Sequence, residues 1–358
     1  MAYATFNKPS LHFDVNTYDA TGSAKTITGM NFKPDLIFTK NRSNTSYIHA
    51  IVDAVRGGTN KLFTSNSNAQ SADAQAVTAF TSDGYTFGTS GSFNNGTDPY
   101  VNWCWKAGNS AGSANNDGTT TSTVSVNTAA GISIIKYTGN AGTNSVGHGL
   151  GVKPDFFITK GLSSSHGWVG WHRDLVGGNE VDRYIYLNST NAAGTQSGGG
   201  GYWAGGGGIT TSTIGLWTSG GDNNANGIDY IMYAFAEKKG FSKFTRWVGN
   251  GNDDGAFVYC GFRPAFVLMK AYDTASRNWT IADYKRDGYN PDNDRLYPNI
   301  ASDSENTSDV IELHTNGFRF ISDKTDNNQN GVSYLCAAFA EMPTVANVGV
   351  NGVPALAR

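Results

Sequence analysis

Apolar and polar residues alternate in short runs along the whole chain, and one run returns three times. It reads Gly29-Met30-Asn31-Phe32-Lys33-Pro34-Asp35-Leu36-Ile37-Phe38-Thr39-Lys40. It comes back as Gly149-Leu150-Gly151-Val152-Lys153-Pro154-Asp155-Phe156-Phe157-Ile158-Thr159-Lys160, and again as Cys260-Gly261-Phe262-Arg263-Pro264-Ala265-Phe266-Val267-Leu268-Met269-Lys270. Each copy is a Pro, a run of β-formers, and a Lys six residues after the Pro. The prolines lie 120 and then 110 residues apart, by subtraction. That period is too long for a solenoid repeat and suits a whole small β domain.

Flanking runs repeat with it. An apolar opening run precedes each copy, at 11–18, 132–137 and 241–248. A second apolar run follows at 47–52, 168–172 and 279–284, and then a Leu with a nearby Asn: Leu62 with Asn66, Leu187 with Asn188, Leu296 with Asn299. Asp83-Gly84 and Asn316-Gly317 precede alternating aromatics, which is strong hairpin chemistry. A closing run ends each copy: Tyr100 to Trp105, Tyr230 to Phe235 and Tyr334 to Phe339. Side chains alternate in a strand, so the aromatic five residues after the Tyr faces away from it, while Cys104, Ala234 and Ala338 share the Tyr face. Apolar residues on both faces predict a central strand covered on both sides.

No amphipathic helix stands out. The pattern predicts an all-β protein of three tandem, antiparallel, jelly-roll-like β-sandwich domains at 1–107, 132–239 and 240–343. A Ser/Thr/Asn/Gly-rich linker at 108–131 has room for one strand at 123–126, and 344–358 forms a tail that docks on a neighbour or stays mobile. Three such domains in one chain are able to mimic a trimer and close into a pseudo-threefold knob.

Composition adds little that is specific. Of 358 residues, 15% are charged and 45 are Gly, which suits short strands and tight turns. A net charge of −3, with no basic stripe, argues against nucleic-acid binding. Cys104, Cys260 and Cys336 lie in no CxxC and read as small buried residues. Residues 1–10 contain no apolar signal-peptide core, and no run of about 18 apolar residues predicts a membrane span. The expectation is a soluble protein made in the cytoplasm.

Candidate chemistry is thin. Asp222-Asn223-Asn224-Ala225-Asn226-Gly227 and Asp326-Asn327-Asn328-Gln329-Asn330-Gly331 start like calcium loops. Tyr233 and Ala337 stand where the bidentate Glu belongs, so both read as Asn-Gly hairpin turns and no metal is expected. His166 and His172 fall in no catalytic spacing. Asp253-Asp254 sits in a predicted turn, where solvation is the better reading than a glycosidase carboxylate. Gly198 to Gly201 and Gly205 to Gly208 bracket Tyr202-Trp203. Without a following helix they do not cradle phosphate. They read as a surface loop with exposed aromatics, which makes Trp203 and Tyr202 candidate ligand contacts, and Trp168 with Trp171 offers a second aromatic platform as a further candidate. No catalytic residue and no cofactor is expected.

The Pro-Asp strand, Asp53-x-Val55-Arg56-Gly57, Leu62 with Asn66, Asp83-Gly84-Tyr85-Thr86-Phe87 and Tyr100-Val101-x-Trp103-Cys104-Trp105-Lys106-Ala107-Gly108 together resemble a domain of unknown function. It recurs in structural proteins of tailed bacteriophages, especially marine podovirus-like ones. All three copies take part, the second departing most through its Gly-rich insertions and the third through Ala265. The resemblance implies a non-enzymatic virion protein, on the tail or as a capsid decoration, assembled in multiple copies with other virion proteins. A carbohydrate-binding adhesin that contacts a host-surface glycan is the alternative, and a glycan-cleaving enzyme the third reading.

Overall fold

The computed structural model describes residues 6, 8–196, 198–217, 221–286, 290, 294–302, 305–306, 310–343, 345–348 and 351–354. Strands dominate it, joined by turns and a few single-turn helices. They form three sheet pairs, each a larger antiparallel sheet backed by a smaller one.

The three larger sheets share one strand order. An opening strand pairs with the closing strand, which pairs with the proline strand, which pairs with a third strand. In the first sheet these are Phe13–Asp19, Pro99–Trp105, Leu36–Asn41 and Ala50–Asp53. In the second they are Ile132–Thr138, Asp229–Phe235, Phe156–Gly161 and Trp168–His172. In the third they are Ser242–Val248, Ser333–Pro343, Phe262–Ala271 and Trp279–Asp283. The closing strand is central each time, as its two apolar faces predict. The 108–131 stretch is more than a linker. Ser113–Asn115 and Ser122–Asn127 add two strands to the second sheet, the latter pairing with its opening strand. In the tail, Val345–Val348 and Asn351–Pro354 pair as a hairpin.

The two faces of each larger sheet are buried differently. Tyr100 and Cys104 turn toward the small sheet of the first pair, as Tyr230 with Ala234 and Tyr334 with Ala338 do in theirs. Val101, Trp103 and Trp105 turn the other way, into one core shared with Ile231, Tyr233, Phe235, Leu335 and Phe339. Rings from different pairs meet there: Phe13 stacks on Phe339 at 5.5 Å, and Phe156 stacks on Phe244 at 6.1 Å. The first and third pairs therefore touch, and the three close a ring instead of lying in a line.

Polar contacts seal the ring in cyclic order. Trp103 Nε1 donates to Asp283 Oδ2 at 3.0 Å, from the first pair to the third. Tyr233 donates to Asp53 Oδ2 at 2.7 Å, from the second to the first. At the matching place between the third and second pairs, His172 Nε2 lies 3.1 Å from the Cys336 carbonyl oxygen. Asp53 and Asp283 also hold a buried Arg three residues on, each at 2.6 Å. Register makes Leu62, Ile185 and Leu296 the equivalent positions on the next strand, two residues short of the Leu187 that sequence comparison picks.

Breaking a buried ion pair by removing one partner leaves an uncompensated charge. Asp283→Ala takes the nearer carboxylate from Arg286, leaving it Glu305 at 3.2 Å, and strands the Trp103 N–H. It is expected to cost about 3 kcal/mol in a denaturant titration. Asp283→Leu combined with Arg286→Met recovers part of that loss: Glu305 keeps Arg42 at 2.7 Å, so no unpaired charge stays inside, while the Trp103 N–H remains without its acceptor.

Candidate functional site

The Asn-rich motifs are backbone clamps. Asn94 and Asn224 end the single helical turns Gly91–Asn94 and Gly221–Asn224, and Asn328 takes the same place in the third pair. All three are buried. Asn328 accepts from the Asn250 N–H and donates to the carbonyl oxygens of Asn252 and Ser322. Asn224 likewise accepts from the Asn140 N–H and donates to Gly142 and Trp217. The preceding acids are also committed: Asp222 accepts from the Gly167 N–H and Tyr186 Oη, and Asp326 from the Asn278 N–H. The closing Tyr tops each turn: Tyr100, Tyr230 and Tyr334 donate to the carbonyls of Gly91, Gly221 and Thr325. The Asn-Gly turn itself is present in each copy, with the N–H groups of Asp98, Ile228 and Val332 donating to the carbonyls of Asn95, Ala225 and Gln329, and in the first two pairs it joins a short helical turn to the closing strand.

The four aromatic candidates are corrected by burial: Trp203 and Trp168 are 0% exposed, Trp171 1% and Tyr202 2%. Trp203 meets Phe157 edge-on at 4.7 Å and donates to the Arg183 carbonyl at 2.9 Å. Trp171 donates to the Glu180 carbonyl, and Trp168 crosses to the Phe63 carbonyl of the first pair. Glycine is the reason. Gly206, Gly207 and Gly208 have φ of 56°, 102° and 84°, so the chain doubles back in left-handed turns. A Cβ on Gly205 would stand 2.2 Å from the Leu216 carbonyl oxygen. The Gly runs press Tyr202-Trp203 into the sandwich instead of holding them out.

The recurring Lys is wholly buried in all three copies, a role its sequence position leaves unstated. Lys160 Nζ donates to the Ser67 carbonyl of the first pair, and Lys270 Nζ to the Thr190 carbonyl of the second. Burial lowers both amines to about 8. The recurring Asp fastens the chain beyond the closing strand: Asp35 accepts from the Ala107 N–H, and Asp155 from that of Glu237. Where Ala265 replaces it, the closing strand runs on to Pro343.

Three histidines are buried and neutral. His172 Nδ1 accepts from the Asp174 N–H and His148 Nδ1 from the Leu150 N–H, which leaves each Nε2–H to face a carbonyl. Burial lowers His148 to about 4 and His172 to about 3. His49 stands where Trp168 and Trp279 stand in the other pairs, beside Phe38 and Trp103, and neither ring nitrogen has a hydrogen-bond partner among the described residues. Burial, then Lys40 and Arg286, hold it well below the ordinary value.

Besides two polar clefts, one of about 410 Å³ at Arg56, Lys136 and Asp229 and one of about 320 Å³ at His12, Lys106 and Asn127, the described residues form two apolar features that a ligand could meet. An apolar cavity of about 70 Å³ lies within the shared core. On the surface, Phe257 and Tyr259 are 46% and 61% exposed, the two exposed Phe, Tyr or Trp side chains among the described residues. They sit on Phe257–Tyr259, the edge strand of the third small sheet. The matching edge in the first pair carries Lys25, a residue that discourages strand addition. In the second pair Thr120 bridges to Val146 and covers that edge. Alternating Phe-Val-Tyr after a Gly-Asn-Asp-Asp-Gly turn was the sequence signal for this exposed strand. Asp253 and Asp254 lie in that turn, exposed, with Asp254 2.9 Å from Arg319. Among the described residues no group of three or more His, Cys, Asp or Glu is placed to hold a metal, and no helix is long and apolar enough to cross a membrane.

The fold and these sites define an all-β protein built as a closed ring of sheet pairs, with its reactive groups turned inward. The chain belongs to the family described as Domain of unknown function (DUF7483), whose model matches residues 8–343 and so spans all three pairs. No curated protein and no solved structure matches it.

Two outcomes follow from burial. Trp203→Ala is expected to cost about 3–5 kcal/mol of stability in a denaturant titration, as for other buried Trp truncations. The unfolded chain protonates histidine near pH 6.5, whereas the fold keeps His49, His148 and His172 neutral. Stability is therefore full above pH 6.5 and falls as pH drops below it, each histidine adding up to about 1.4 kcal/mol per pH unit. Denaturant titrations between pH 7 and 5 measure that slope, and His172→Gln should make it shallower.

Proposed function

We propose that the chain is a non-enzymatic structural protein of a tailed-phage particle, on the tail or as a head-surface appendage. It acts by protein–protein assembly, in multiple copies alongside other virion proteins. The observation that carries this reading is where the reactive groups are spent. Lys160, Lys270 and the Asp53–Arg56 and Asp283–Arg286 pairs are buried in the seams of the ring, where they hold backbone and neighbouring side chains. Such a ring is a rigid building block, and the resemblance of its motifs to phage structural proteins supplies the context. Cryo-electron microscopy of the purified particle tests it: the chain is expected as density at a symmetric head or tail position. Absence of the protein from the particle removes the reading.

A second reading, a host-glycan-binding adhesin, is favoured by Phe257 and Tyr259. Aromatic faces held out beside Arg319 and Glu312 suit a sugar ring with its hydroxyls. A glycan-binding screen tests it: a hit lost in Tyr259→Ala, with unchanged melting temperature, supports this reading, and a blank screen removes it.

A further inference from the structure

The three larger sheets present matching positions to their shared core, which makes each an internal control for the others. Counting from the closing Tyr, Trp103, Tyr233 and Ala337 are equivalent. The first two send large rings across a seam to Asp283 and Asp53. Ala337 sends only a methyl group. The strand it faces is reduced as well. Phe38, Ile158 and Leu268 are equivalent, and their cross-strand partners are Ile51, Gly170 and Ile281. So the seam between the third and second pairs has Ala where the others have an aromatic, and Gly where they have Ile.

Ala337 is among the walls of the cavity of about 70 Å³, with Ile51, Leu187, Ile158 and Leu268, whereas Gly170 is packed against the Phe157 carbonyl and does not line it. No polar atom is exposed on those walls. The Tyr233 hydroxyl is turned away to Asp53. A water molecule needs two to four polar partners to stay in a cavity, and this one offers none. An enclosed apolar cavity of about 150 Å³ in another protein stays dry and takes up benzene or xenon. The space here is only partly enclosed, though its lining side chains are all buried. It has about half that volume, several times the roughly 10–15 Å³ that one water requires.

We propose that this axial cavity is a binding site for a small, neutral, apolar molecule. Its walls come from all three sheet pairs. The site exists only when the ring is closed, so a guest binds the folded protein alone and raises its unfolding temperature by mass action. Charged and hydrogen-bonding molecules are excluded, because nothing in the walls replaces their water.

Xenon is the probe. Crystals of the full chain under xenon pressure are expected to show one xenon atom beside Ala337, and the melting temperature is expected to rise with xenon pressure in solution. Ala337→Leu fills the space and should abolish both. Should that variant fail to fold, Ala337→Val and Leu268→Met narrow the cavity with smaller volume changes and should weaken xenon occupancy. Ordered water in the cavity, or no xenon there in the folded wild-type protein, overturns the proposal.

Discussion

Each closing strand is apolar on both faces, and the small sheet behind it covers only one of them. The other face carries Val101, Trp103 and Trp105, or Ile231, Tyr233 and Phe235, or Leu335, Ala337 and Phe339. Left in water, such a face would cost on the order of 25 cal/mol per Å² of apolar surface. Three sheets with the same exposed face cover one another most completely by closing a ring. The order of the strands, the buried lysines and the seam hydrogen bonds all sit around that shared core.

The ring is not symmetric in its chemistry. Two seams use an aromatic donor on an Asp that also binds a buried Arg. The third uses His172 on a main-chain carbonyl. A buried ion pair often contributes little net stability over an apolar substitute, yet its donors and acceptors must meet in one geometry. The two Asp seams therefore fix how the sheet pairs join, while the His seam carries the smaller residues Ala337 and Gly170. The cavity has Ala337 of that seam among walls drawn from all three pairs, and at ~24 cal/mol per Å³ it costs about 1.7 kcal/mol.

Much of the β architecture was legible along the chain. The closing strands are central, the proline strands lie beside them, and the strand near 123–126 is present. Period-two patterns report local burial, and each of these strands is buried by its immediate neighbours. The candidate site was less legible. Tyr202 and Trp203 sit between Gly runs, which read as an exposed loop. The same glycines, at positive φ, let the chain fold back and bury them. Asp53-x-x-Arg56 and Asp283-x-x-Arg286 repeat plainly, but their partners Tyr233 and Trp103 lie 180 residues away in sequence.

By itself the sequence determined the strands, their two apolar faces and the threefold recurrence of Pro, Lys and Tyr. These follow from residue type and spacing, which act within a few residues. Tertiary structure alone decided which pair meets which, that Lys160 and Lys270 reach across seams, that Ala337 leaves a void, and that Phe257 and Tyr259 stay outside. Those outcomes depend on which surfaces remain uncovered once the sheets have formed, a property no single segment carries.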